Sequence, residues 1–266
     1  MRNGIPTKLE VFNILKTELY KNQKKYNDLF LEKYHNELID YKNKWVANPL
    51  WQWSRIYEYP FVESKIDHFI KNKKNIKILD AGSGITFLPY KLSDKQEIKN
   101  IVCVDYDGDL QKTFKSIPSN KVNFILGSLD KLDFEDNTFD IVYCISVLEH
   151  TDNYDKILQE FKRVIKNGGL LIITFDIGIS INHKLNIVNS NRLLSLINDI
   201  LPIEDVQLLI GKVLNDFWTT KKANRIDNNL LPYGKQSFYK KLKNRILGRD
   251  NFPNLTFYVV SSIIKK

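Results

Sequence analysis

The residues best suited to chemistry begin at Asp80. The run Ile78-Leu79-Asp80-Ala81-Gly82-Ser83-Gly84-Ile85-Thr86 carries an apolar segment into a turn where two glycines flank a serine, followed by a helix-like start. Bare backbone at such a turn lets a ligand approach closely. Turns of this kind serve NAD, FAD and other nucleotides and also occur as purely structural turns, so the pattern alone leaves the ligand open. A second apolar run, Ile101-Val102-Cys103-Val104-Asp105, ends in a carboxylate 25 residues after Asp80. An acid in that position accepts hydrogen bonds from both hydroxyls of a ribose, so two independent signals point to one nucleoside-containing ligand. The third glycine and pyrophosphate-binding helix entry of a dehydrogenase fingerprint are absent.

His150 closes the run Ser146-Val147-Leu148-Glu149-His150. It reads either as a general base for an acceptor hydroxyl or as a helix-entry residue satisfied by backbone. His35, His68 and His183 are scattered, and with no Cys pair and no H-x-x-x-H spacing no metal site is expected. Cys103 and Cys144 sit inside apolar runs and read as buried small hydrophobes.

These residues need a scaffold, and the central block supplies its pattern. IKILDAGSG, IVCVD, VNFIL, FDIVYCISVL and GGLLIITFD are short apolar runs rich in Ile, Val and aromatics, as expected of strands covered on both faces. Between the last two, Tyr154, Ile157, Leu158, Phe161, Val164 and Ile165 recur at helical spacing, with Asp152 as the expected N-cap and Gly168 beyond the end. Strand, helix, strand implies a parallel sheet. A last strand candidate, Leu255 to Ile264, follows some 80 residues of other material and is expected to insert late and antiparallel. The fold class is therefore α/β, a Rossmann-like doubly wound sheet.

Four of these stretches occur in an order that resembles a known family. LDAGSG, IVCVD, GSLDKLDFEDNTFDIVYCISVLEH and FKRVIKNGGLLIIT are similar to the successive motifs of class I S-adenosylmethionine-dependent methyltransferases, particularly the small-molecule branch, over about 100 of the 266 residues. The resemblance implies S-adenosylmethionine as cofactor, S-adenosylhomocysteine as product and no metal. It implies that Gly82, Ser83 and Gly84 meet the methionine part, with Asp80 orienting the turn. Asp105 would hold the ribose, Tyr106 would pack on the adenine, and Ser128 with Leu129 would meet the adenine edge. Ser128 departs from the family's usual aspartate, and Asp130 is a possible substitute. Ile145, at a strand's carboxyl end, would line the pocket.

The flanks are expected to choose the acceptor. Residues 1–75 read as an N-terminal helical cap, 76–177 as the cofactor-binding core, 178–254 as a lid or substrate insertion and 255–266 as the final strand, all within one domain. The cap's apolar stripe (Phe12, Leu15, Leu19, Tyr26, Leu29, Phe30, Tyr34) reads as packing on the domain. Trp51, Trp53, Arg55, Tyr57, Tyr59 and Phe61 crowd just ahead of the first strand. By the resemblance Arg55 would pair with the cofactor carboxylate and Tyr59 would wall the substrate pocket, the alternative being an aromatic anchor. In the lid, residues 187–217 look helical with a break at Pro202, and Lys221 to Arg249 hold nine basic residues against one acid, Asp227.

The formal net charge of +9 is uneven: residues 1–75 carry +5, 76–177 carry −4 and 178–266 carry +8. With 33 lysines against seven arginines, nucleic acid is not the favoured partner, and attraction for anions belongs to the flanks. Composition excludes collagen, wholesale disorder and a disulfide scaffold. No run reaches the length of a membrane span, the first residues are too charged for a signal peptide, and a cytoplasmic protein is expected. The expected activity is transfer of a methyl group to an oxygen of a small anionic acceptor, such as a nucleotide-linked sugar, a phosphate compound or a polysaccharide precursor. The rivals are an RNA methyltransferase and a non-catalytic protein that kept the fold.

Overall fold

The computed structural model describes residues 1–38, 52–179, 187–200, 216–227, 230–231 and 252–266. Six strands form one sheet in the order β3-β2-β1-β4-β5-β6, with β1 Ile76–Ala81, β2 Ile98–Asp105, β3 Val122–Leu126, β4 Phe139–Ile145, β5 Ile165–Gly178 and β6 Leu255–Ile263. The first five run parallel; β6 pairs antiparallel with β5 from Leu170↔Ile263 to Gly178↔Leu255. The late strand thus takes the outer edge beside β5.

Helices cover both faces, so the central strands are apolar on both sides, as parallel strands require. On one face lie α1 Lys8–Leu15, α2 Glu18–Lys33, α3 Arg55–Ile70, α4 Leu88–Ser93 and α5 Leu110–Ser116, packed around Phe61, Ile66, Phe87, Ile101 and Tyr143. On the other, α6 Tyr154–Val164 and α7 Ile187–Ile200 bury Leu158, Phe161, Leu193 and Ile197 against Val142 and Ile173. A short helix, α8 Thr220–Ile226, packs beside β6.

The ends of these helices follow local chemistry. Thr7 and Glu10 form a reciprocal capping box at α1, and Thr17 caps α2. At α6 the N-cap is Asn153, one residue beyond the expected Asp152, and it makes no side-chain cap bond because its amide donates to Asp130. The buried face of the cap also differs from the expected stripe. Leu29 is exposed, and α2 instead buries Tyr20, Gln23, Asn27 and Phe30, since Gln23 Nε2 donates to the Tyr59 carbonyl and to Glu63. Trp51, the break at Pro202 and most of the basic stretch to Arg249 lie outside the described residues.

Candidate functional site

The chain reverses direction through the sheet between β1 and β4, and ligands of open α/β sheets bind beyond the carboxyl ends of the strands at such a point. A cavity of about 730 Å³ opens there. Its lining contains the residues given a cofactor, substrate or catalytic role from the sequence: Asp80, Gly82, Ser83, Gly84, Asp105, Tyr106, Ser128, Leu129, Ile145, His150, Arg55 and Tyr59.

The glycine turn is built by its neighbours. Gly82 N and Ser83 N donate to the Val104 carbonyl (2.8 and 3.1 Å), and Gly84 N donates to Asp105 Oδ2 (2.9 Å). Gly82 has φ +74°, and a Cβ there would lie 2.4 Å from Val147 Cγ2, so the turn needs glycine on two counts. Gly84, at φ +50°, faces open space. Asp105 Oδ1 also accepts from Asp107 N (3.0 Å), so one carboxylate ties the first turn to the second.

Asp80 behaves differently from expectation. The hydrogen bonds that hold the turn come from Val104 and Asp105, while Asp80 is buried and accepts from Tyr143 Oη at 2.8 Å. Burial pushes its carboxyl up to about 8, with Tyr143 opposing and Asp105 adding to the rise. At the other end of the cavity, Ser128 Oγ donates to Asp130 Oδ1 (2.5 Å) and Asn153 Nδ2 donates to Oδ2 (3.1 Å). Those two bonds hold the Asp130 carboxyl below its usual range. The acid therefore sits two residues after the departing serine and lines the same cavity. Tyr106 is 87% exposed, its ring at the rim.

The inner wall is a polar network that sequence reasoning reached only at Arg55. Arg55 opens α3 and is buried, with Nη1 donating to Glu58, to Ser146 Oγ and to Ser54 Oγ. Burial works against its charge, but Glu58, Tyr59 and Asp176 outweigh it and hold the guanidinium protonated. Glu58 Oε1 accepts from Ser146 Oγ (2.8 Å) and Thr174 Oγ1 (2.5 Å). Ser146 sits at φ +49°, the left-handed region for a non-glycine residue, fixed by its N–H to the Thr174 carbonyl (2.9 Å). Nearby, burial and then Asp176 push Glu149 well up; burial and Glu58 raise Asp176 to about 8 against Arg55. Both carboxyl oxygens of Glu149 and Oδ1 of Asp176 are buried with no hydrogen-bond partner. The signal for Glu58 was weak, because beyond Arg55 its partners Ser146 and Thr174 lie 88 and 116 residues away in sequence.

Tyr59 is buried, and loss of solvent lifts its hydroxyl to about 12 against the pull of Arg55. His150 is exposed at the end of a single 3₁₀ turn, Leu148–His150, on the cavity rim. Cys103 and Cys144 are buried, and burial drives both thiols well up, which removes them as nucleophiles. Among the described residues no group of three His, Cys, Asp or Glu could hold a metal, and no helix is long and apolar enough to cross a membrane.

A mostly parallel sheet in this order, with a cavity beyond its strand ends at the reversal, is a Rossmann-like α/β fold. Residues 79–173 match the family model described as a methyltransferase domain. The matched residues run from β1 into β5 and include the glycine turn and Asp105, so this part of the chain is similar to methyltransferase domains.

The chain is 41% identical over 103 residues to an uncharacterized protein of Methanocaldococcus jannaschii, a match covering 39% of this chain and 42% of that one. It is 28% identical over 103 residues to a sterol 4-C-methyltransferase of Caenorhabditis elegans (38% and 31%). It is 26% identical over 123 residues to a demethylmenaquinone methyltransferase of Leptospira interrogans (42% and 49%). The matched part thus spans less than half of these relatives. Among solved structures, the [4+2]-cyclase SpnF shares the fold with TM-score 0.50 at 14% identity, over 76% of this chain and 81% of that one.

Proposed function

We propose that this protein binds S-adenosylmethionine in the cavity at the carboxyl ends of β1, β2 and β4 and transfers its methyl group to an oxygen of a small anionic acceptor in the cytoplasm. One observation carries the cofactor: the Gly82–Gly84 turn, the Asp105 carboxylate and the Arg55 guanidinium line a single cavity. The residues fit the group. Asp105 accepts from the ribose hydroxyls, Asp130 replaces the departing Ser128 at the adenine amino group, and Arg55 takes the amino-acid carboxylate. Bound there, S-adenosylmethionine supplies an electrophilic methyl group. What this chain adds is positioning, exclusion of water by the buried inner wall, and a group such as His150 to take the acceptor's proton.

Oxygen as the methylated atom rests on elimination: the thiols are buried, and the Asn48-Pro49-Leu50 run precedes the sheet, unlike the N-P-P-Y signature of amino-directed enzymes. The described lining carries Asp80, Asp105, Asp107, Asp130 and Asp152 against Arg55 and His150. What supports an anionic acceptor, such as a nucleotide-linked sugar, phosphate compound or polysaccharide precursor, is the +8 charge of residues 178–266 in the sequence. Carbon is the second reading, favoured by the sterol C-methyltransferase among the relatives.

The test is a thermal-shift titration with S-adenosylmethionine and S-adenosylhomocysteine beside NAD and ATP. A ligand at a hundredfold excess over its Kd stabilises the folded state by about 2.7 kcal/mol. A rise with the first two alone supports the cofactor, and methyl transfer from labelled donor to phosphate, sugar, phenol and sterol acceptors then separates oxygen from carbon. No rise with either sinks the proposal.

A further inference from the structure

Resting on that cofactor reading, we infer that Glu58 is a positioning residue: it pins the Arg55 guanidinium so that the site recognises a nucleoside thioether by its amino-acid carboxylate. Three facts of geometry carry this. Among the described residues, the hydrogen bonds of Arg55 run through Nη1, to Glu58, Ser146 and Ser54. A guanidinium is planar, so a nitrogen held both by Glu58 of α3 and by Ser146 at the end of β4 restrains the plane and leaves the rest of the fork for the cavity that Arg55 lines. Glu58 is itself immobile: it is fully buried, and its other oxygen receives Ser146 from the end of β4 and Thr174 from β5.

The surroundings explain why a pin is needed. Asp176 also attracts Arg55, and Glu149 lies in the same buried acid cluster. Without Glu58 the guanidinium would be drawn toward Asp176, away from the ligand. A helix partner three residues on, tied to two strands, outcompetes that acid by geometry. The sequence shows Glu58 only as one charge in an aromatic run.

Two probes separate recognition of the amino-acid end from recognition of the nucleoside: S-adenosylhomocysteine, which has the carboxylate, and methylthioadenosine, the same thioether nucleoside without it. Calorimetric affinities are measured for the wild type, Glu58→Gln and Thr174→Val. Glu58→Gln is expected to weaken S-adenosylhomocysteine about tenfold or more, the scale of one charged hydrogen bond, and to leave methylthioadenosine within about twofold. Thr174→Val, which removes one bond to Glu58, is expected to shift the same ratio by about threefold. Equal losses for both ligands, or no loss, in folded Glu58→Gln overturn the inference. If that variant does not fold, an unchanged ratio in Thr174→Val overturns it. A wild type that binds both probes equally well overturns it while the cofactor reading stands, whereas a wild type that binds neither removes the cofactor reading itself.

Discussion

Asp105 receives two backbone N–H groups, from Gly84 and Asp107, and so builds the site as well as serving it. Asp105→Ala is expected to abolish the rise in Tm on adding S-adenosylhomocysteine, and a retained rise would remove Asp105 from the site. Gly82→Ala is expected to cost about 1–3 kcal/mol in urea unfolding, since the new methyl meets Val147 at a left-handed backbone position. His150→Ala is expected to lower turnover with unchanged cofactor affinity, and full activity from about pH 6 to 9 would exclude it as the base. At this scale the turn and Asp105 were legible as cavity-lining residues because strand ends display them. Glu58 was not, since its burial and its ties to Ser146 and Thr174, far along the chain, are what set it apart from an ordinary i,i+3 partner of Arg55.

Elements differ in how openly they declare themselves. α6 shows a clean apolar stripe, Ile157, Leu158, Phe161 and Val164, all buried. Phe161→Ala is expected to cost about 3–5 kcal/mol, read as a fall in the urea midpoint at constant slope. α3 hides, because nearly every residue from Arg55 to Glu63 is buried; a helix covered all round has no polar face to set a period, and Pro60 within it reads as a break. The five parallel strands were legible from their apolar runs, but β3, expected to be covered on both faces, lies at the sheet's edge with Ile125 and Leu126 exposed. The outer place of β6 was not legible, since an apolar run says nothing of which neighbour it will meet.

At the scale of the whole molecule, charge couples folding to pH. Asp80 and Asp176 rise to about 8 and Glu149 is raised well above its ordinary value, each chiefly through burial. A carboxyl raised on folding keeps a proton that the unfolded chain has released. Its stabilisation is therefore complete below the unfolded value near 4 and is lost as pH climbs through about 8. Tm is expected to fall between about pH 5 and 9, and Asp176→Asn to flatten that fall. A Tm that rises over this range would show that the acids are ionised in the folded protein. The sheet's outer edge carries a different consequence. Gly4 bridges Val259, Asn3 holds Ser261, and β6 covers the edge of β5. While the chain is being made, residues 3 and 4 wait for partners more than 250 positions away. Until then β5 offers an unpaired apolar edge to other nascent chains. Slowing the ribosome shortly before position 255 would therefore lengthen the interval in which the newborn protein is most prone to aggregate.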